Sequence, residues 1–356
     1  MEAQLLSISV LIRRLSKAFQ MATGNFFRYT ELPQQKPQDN GVLFPVILSP
    51  NHITDSTTQS TLELRDFQEA IKAQKPWLES LLTRSGAILF RGFPVASPSD
   101  FNNLVEAFGY PEMLYVGGRA SRTKVVGRVY TANECPSDMG IPFHHEMAYM
   151  RDFPSKLFFY CDEEPEAGGE TPIVLSHILY EKMAERHPEF VAKVEEHGVK
   201  YTDIARDVDD PSSVTGNSWK STFKTDDKNV AEERAAKLGV KLEWIGNNTA
   251  KVTSPPLSAI RLDEENSRKT WFNSLVVGYN RLGSKDISSG DGAVQLGNGD
   301  PVPDHVEQDY LKILEEECVA IPWKKGDVLF INNLMVLHGR RPLLKPPRRI
   351  LASLCK

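Results

Sequence analysis

The feature that most constrains this chain is a set of metal-ligand candidates split between two distant segments. His144 and Glu146 lie in Gly140-Ile-Pro-Phe-His-His-Glu-Met-Ala-Tyr149. An extended segment alternates its side chains, so these two share one face and His145 takes the other. One imidazole beside one carboxylate is two-thirds of a 2-His-1-carboxylate site. The best third ligand is His338, far downstream in Leu337-His338-Gly339-Arg340-Arg341-Pro342. The fold must therefore bring an early strand and a late strand to one place.

The pattern of short apolar runs allows this. Gly86-Ala-Ile-Leu-Phe-Arg-Gly-Phe93, Lys156-Leu-Phe-Phe-Tyr-Cys161, Thr171-Pro-Ile-Val-Leu175, Lys325-Gly-Asp-Val-Leu-Phe-Ile-Asn332 and Arg349-Ile-Leu-Ala-Ser-Leu354 read as strands. Further strands are expected at 198–205, 241–245 and 269–277. Helical spacing marks 61–82, a segment opening at Ser97-Pro-Ser-Asp and running to Phe108, then 176–197, 225–238 and 302–317. Ser97 or Ser99, Thr225 or Asp226, and Asp304 are the candidate caps. Residues 32–50 hold four prolines and read as an irregular lead-in, and 284–303 as a long loop. Many short strands interrupted by a few surface helices suit a double-sheet β architecture better than βαβ alternation. The expected class is mainly β with flanking helices (α+β), built as a jelly roll, which can carry one His on a hairpin and another on a late strand to the same end.

An isolated His-x-Glu occurs in several kinds of site, and the surrounding letters separate them. A zincin needs a second His where His145-Glu146-Met147-Ala148-Tyr149 has Tyr. A zinc deaminase needs Pro-Cys-x-x-Cys, but Cys135, Cys161, Cys318 and Cys355 form no such pair. No Gly-x-Ser-x-Gly nucleophile elbow occurs. The facial triad with open positions survives, and it suits non-haem Fe(II). A net charge of -5 leaves no basic footprint for nucleic acid. No apolar run reaches the roughly 18 residues of a membrane span. Unpaired cysteines fit a reducing compartment.

Three segments together resemble the Fe(II)/2-oxoglutarate-dependent oxygenases of the taurine dioxygenase and clavaminate synthase-like branch, and most of all the plant clavaminate synthase-like proteins. They are the stretch around His144 and Glu146, the turn Gly168-Gly169-Glu170-Thr171, and the ending from His338 through Arg349. The resemblance runs from about residue 40 to the C-terminus. It implies a double-stranded β-helix core, iron held by His144, Glu146 and His338, and 2-oxoglutarate and dioxygen as co-substrates. Glu146 stands where many members have Asp, although clavaminate synthase-like members use Glu. Thr171 resembles the threonine, and Arg349 the arginine, that hold the distal carboxylate of 2-oxoglutarate. Arg348 and Arg349 point to opposite faces of a strand, and spacing assigns Arg349 inward and Arg348 to solvent. Without the resemblance, Thr171 reads as an ordinary strand residue and Arg349 as part of a basic tail. The implied reaction couples decarboxylation of 2-oxoglutarate to oxidation, commonly hydroxylation, of a small polar or anionic substrate. The alternatives are a non-catalytic metal- or small-molecule-binding jelly roll and a metal-dependent hydrolase.

The basic stretch 119–128 precedes the ligand segment and is a candidate anion site. Arg340 and Arg341 either pair locally or meet an anionic substrate. His177, His187 and His197 read as solvated helix residues, His52 and His305 have no matched partner, and Trp219 and Trp271 read as core in preference to pocket lining. Residues 1–20 carry Arg13, Arg14 and Lys17 against the single acid Glu2. They loosely resemble a transit peptide, but modest Ser and Arg content favours an upstream start before Met21. The expected organisation is an N-terminal extension over 1–30 and a single oxygenase domain over 31–356. The expected location is cytoplasmic, with organellar import through residues 1–20 as the alternative.

Overall fold

The computed structural model describes residues 26–51, 62–275 and 294–356. Two sheets form its centre. The larger has eight strands in the order Phe27–Thr30, Val46–Pro50, Ala87–Phe90, Val328–Asn332, Lys156–Glu163, Arg349–Cys355, Val129–Thr131, Lys124–Val126. The smaller has four, in the order Val319–Ile321, Thr171–Leu175, Val336–Arg340, Ile141–His144. Pairing is antiparallel except where Val46–Pro50 lies parallel to Ala87–Phe90.

Side-chain alternation fixes which face meets which. In Lys156–Glu163, Leu157, Phe159 and Cys161 share one buried cluster with Ile173, Leu175 and Val336 of the smaller sheet. The two sheets therefore face one another, as a jelly roll requires. Phe158 and Tyr160 point the other way, into a cluster with helices Leu64–Ser85 and Pro98–Phe108. Val174 and Leu337 likewise leave the interior and pack with Leu179, Val191 and Ile313 from helices Ser176–Arg186, Pro188–His197 and Asp304–Glu317. Helices thus cover both outer faces. Each fully buried large apolar side chain contributes roughly 1.5–3 kcal/mol relative to exposure.

Local chemistry sets the element ends. Ser97 Oγ accepts from the Asp100 amide at 3.2 Å and caps its helix. Asp227, one residue beyond the expected Asp226, caps helix Lys228–Lys237. The helical run 176–197 is two helices, broken where Pro188 opens the second. Gly86 ends helix Leu64–Ser85 at φ 80, and a Cβ there would lie 2.8 Å from Val336 Cγ2. The helix end packs closely on the smaller sheet for that reason.

Two expectations need correction. The lead-in 32–50 contains an interior strand, Val46–Pro50, because its prolines lie at the strand ends. The extension does not reach residue 30: Phe27–Thr30 pairs in register with Val46–Pro50, and Phe27 is 2% exposed in the core. The rest of the expected extension, residues 1–25, lies outside the described residues. So do His52, 276–277 of one expected strand and 284–293 of the expected loop; within that loop, Val294–Leu296 is a strand. A four-stranded layer of Val199–Ala205, Lys241–Gly246, Thr249–Thr253 and Val294–Leu296, with helices Trp219–Phe223 and Lys228–Lys237, forms an annex beside the site. Among the described residues no helix is long and apolar enough to cross a membrane.

Candidate metal centre and its cavity

The two ligand segments meet by strand pairing. His338 lies opposite His144 in the Val336–Arg340/Ile141–His144 ladder and opposite Ile173 on its other side. Both imidazoles point into the space between the sheets, with ring centres 4.3 Å apart. Glu146 follows two residues after the strand end, and its Oε2 lies 3.9 Å from Nε2 of each histidine. One ligand atom from each of the three residues falls within 4.8 Å of the others.

The surroundings prepare these atoms. His144 Nδ1 lies 2.8 Å from the Pro142 carbonyl, which only accepts, so Nδ1 carries the proton and Nε2 keeps its lone pair. His338 is 5% exposed; burial, reinforced by neighbouring His144, lowers its pKa well below the usual histidine value and keeps it neutral. Its Nδ1 is buried without a hydrogen-bond partner, and Phe159 packs against the ring at 5.2 Å instead. The Asn333 side chain grips the Glu146 backbone from both sides, accepting from its N–H at 2.9 Å and donating to its carbonyl at 3.0 Å. Two neutral imidazoles and one carboxylate, with His338 and Glu146 buried and His144 half-buried, are the donor set of a divalent ion with open positions, and the trio is a candidate for iron.

These groups line a cleft of about 800 Å³, its open mouth included, with Tyr115, Arg119, Arg122, Tyr149, Thr171, Arg340 and Arg348. Thr171 is 5% exposed. Its Oγ1 accepts from the Trp323 indole at 3.0 Å, which leaves the hydroxyl proton free to donate.

The arginine assignment is reversed. Arg349 points outward, its side chain 43% exposed, and pairs with Asp162 at 2.6 Å. Arg348 is the residue that enters the cavity. Alternation along the last strand accounts for this: Ile350, Ala352 and Leu354 face the inter-sheet cluster while Leu351 and Cys355 face the helices, so Arg348 falls on the inner side and Arg349 on the outer, against the spacing from His338. Arg348 Nε donates to the Gly169 carbonyl at 2.7 Å. Gly169 has φ 68, and a Cβ there would lie 2.6 Å from Arg348 Cδ, so the glycine leaves room for the arginine's arm. Burial and the nearby Arg340 lower the Arg348 pKa to about 10, which leaves it charged at neutral pH.

Other candidates disperse. Arg340 clamps the Cys135–Met139 segment through the Pro136 and Met139 carbonyls at 2.6 and 2.7 Å. Arg341 pairs with Glu315. Arg119 is held by Asp203, the Asn217 carbonyl and Thr222 Oγ1. Lys124 lies on the surface, and Arg128 donates to the Tyr110 carbonyl. Of the basic stretch 119–128, only Arg122 touches a ligand, donating to Glu146 Oε2 at 2.8 Å. His145 turns away to Ser176 Oγ at 2.7 Å, and burial lowers its pKa to about 3. His177 is not solvated: it is 5% exposed and sits against Arg268. Trp219 and Trp271 are core residues. Sequence reasoning missed Asn333 and Trp323, for which spacing carries no signal.

The profile of the taurine catabolism dioxygenase TauD, TfdA family matches residues 49–355. The chain belongs to this family. A clavaminate synthase-like protein of Arabidopsis thaliana is 56% identical over 327 residues, covering 92% of this chain and 98% of that protein. The dapdiamide synthesis protein DdaC of Enterobacter agglomerans is 30% identical over 275 residues, covering 74% of this chain and 80% of its own. Among solved structures, PvcB of Pseudomonas aeruginosa aligns over 92% of this chain and 91% of its own, with TM-score 0.48 and 14% identity. As a TauD/TfdA-family member the chain is an oxidoreductase of dioxygenase type.

Proposed function

We propose that this protein is a non-haem Fe(II) oxygenase that couples oxidative decarboxylation of 2-oxoglutarate to hydroxylation or a related oxidation of a small polar substrate. The observation that carries the reading is the convergence of His144, Glu146 and His338 in one cavity with a half-buried arginine and a buried threonine. His144 and His338 would offer imidazole nitrogens, and Glu146 a carboxylate oxygen, to the iron. Arg348, in place of the expected Arg349, and Thr171 would hold the far carboxylate of 2-oxoglutarate. A buried carboxylate needs such a charged, hydrogen-bonded partner.

When bound, the metal and its keto acid supply the oxidising chemistry: dioxygen is consumed, 2-oxoglutarate becomes succinate and CO₂, and one oxygen atom is inserted into a substrate C–H bond. The chain's residues place and shield. The Pro142 carbonyl fixes the His144 tautomer. The grip of Asn333 on Glu146 holds the carboxylate against the strand that bears His338. Phe159 and Ile350 line the cavity with apolar surface and limit water near the reacting centre. Trp323 aims the Thr171 hydroxyl.

Anaerobic addition of Fe(II) and 2-oxoglutarate should produce the weak visible charge-transfer band of a keto-acid chelate. Succinate should then form on admission of air with substrate. A His144→Ala protein that still binds iron and turns over would refute the assignment.

A further inference from the structure

The candidate iron cavity does not end at the ligands. A second cavity of about 670 Å³, its mouth included, adjoins it and shares Arg119, Tyr149, Thr215 and Ser274 with the first. It lies against the annex. Met150, Tyr201, Phe223, Val240 and Val252 give it apolar walls. Its charged lining residues, Arg119 and Asp203, pair with each other and place no unmatched charge there.

The four arginines lining the first cavity differ in what they have left to offer. Arg119 is saturated by Asp203, Asn217 and Thr222. Arg340 is spent on the carbonyls of the 135–139 segment. Arg348 sits beside Gly169, at the place argued above for 2-oxoglutarate. Arg122 remains. Its side chain is only 7% exposed, and it donates through one nitrogen to one oxygen of Glu146. Its Nε is buried without a partner. The Tyr115 ring, 4.5 Å from the guanidinium carbon, fixes the plane of the fork. An inflexible buried cation with donor capacity to spare, next to the metal ligands, is a receptor for an anion.

Resting on the oxygenase reading and deepening it, we infer that the primary substrate is a carboxylate with an apolar extension, its anionic end on Arg122 and its extension in the cavity walled by Tyr201, Phe223 and Val252. Arg122 then sets substrate specificity, and the annex sets substrate length.

The probes are straight-chain monocarboxylates of two to ten carbons and their methyl esters. They are added anaerobically to the full-length protein loaded with Fe(II) and saturating 2-oxoglutarate. Binding is read by calorimetry and by the shift of the charge-transfer band. Acids should bind at least tenfold more tightly than their esters, and affinity should rise two- to fourfold per added methylene until the cavity is full. Arg122→Met should abolish the acid–ester difference while the band persists, and Arg122→Lys should restore part of it. Val252→Trp should remove the gain with chain length but keep the preference for acids. Its retained band and melting temperature report that it is folded. If Arg122 served only to steady Glu146, Arg122→Met would weaken iron binding and leave probe discrimination unchanged, which overturns the inference. Acids that bleach the band by displacing 2-oxoglutarate, or that show no chain-length dependence, overturn it too. Failure of the wild-type band to form at all would instead remove the oxygenase reading beneath it.

Discussion

Strand Lys156–Glu163 separates two different interiors. On its helix-facing side, Phe158 stacks on Phe330 at 4.3 Å and Phe67 stacks on Phe93 at 4.1 Å, in a cluster of almost wholly apolar side chains. On its other side, Phe159 touches His338, and the space beyond holds Glu146, Arg122, Arg340 and Arg348, all largely buried. The first interior is almost closed: among the described residues its unmatched polar atoms are a hydroxyl and an indole N–H, those of Ser353 and Trp77. The second leaves a guanidinium and an imidazole nitrogen unmatched, Arg122 Nε and His338 Nδ1. Stability and chemistry are thus carried by opposite faces of the same strands.

Substitutions on the two faces should separate cleanly. The largest effect is expected at the ligands: His338→Ala should lower iron affinity and succinate formation at least a hundredfold, with little change in melting temperature. Next is the arginine pair. Arg348→Met should raise the 2-oxoglutarate concentration needed for half-saturation at least thirtyfold, since losing one partner of a buried charge pair costs about 2–5 kcal/mol. On the apolar face, Phe330→Ala should cost about 3–5 kcal/mol in denaturant unfolding and leave the charge-transfer band of the folded fraction unaltered. Loss of that band without unfolding would break the comparison. Asn333→Ala tests the seam between the faces. It strips partners from the Glu146 and Pro154 backbone and should cost roughly 1–3 kcal/mol together with a several-fold loss of iron affinity. The smallest effect belongs to Arg349→Met: its pair with Asp162 is half exposed, so less than about 1 kcal/mol and no change in 2-oxoglutarate saturation should follow.

The meeting of His144, Glu146 and His338 was legible in the sequence because an extended segment puts residues two apart on one side, and the chain stays extended enough past His144 for Glu146, in the turn beyond the strand, to keep that side. The jelly roll was legible in the many short apolar runs, such as Lys156–Glu163, interrupted by only a few helices. Choosing the inward residue by its spacing from His338 exchanges Arg348 and Arg349; alternation along the last strand, in which Ile350 and Ala352 face inward, puts Arg348 inside. Val46–Pro50 was hidden by prolines that sit at its ends. Arg122 was visible only as one member of a basic stretch, because its partner Glu146 comes from another segment. Asn333 and Trp323 act through contacts that exist only after the sheets have met.

The hold of Asn333 has a practical meaning for anyone wishing to redesign this protein. The same side chain that fixes Glu146 also donates to the Pro154 carbonyl at 2.7 Å, while the Asn333 N–H donates to the Ser155 carbonyl at 2.9 Å. Residues 147–153 are therefore a cassette fastened at both ends to one buried amide. Exchanging that cassette, with its Tyr149 and Met150 walls, offers a route to altered substrate preference that leaves the anchorage of the carboxylate ligand untouched.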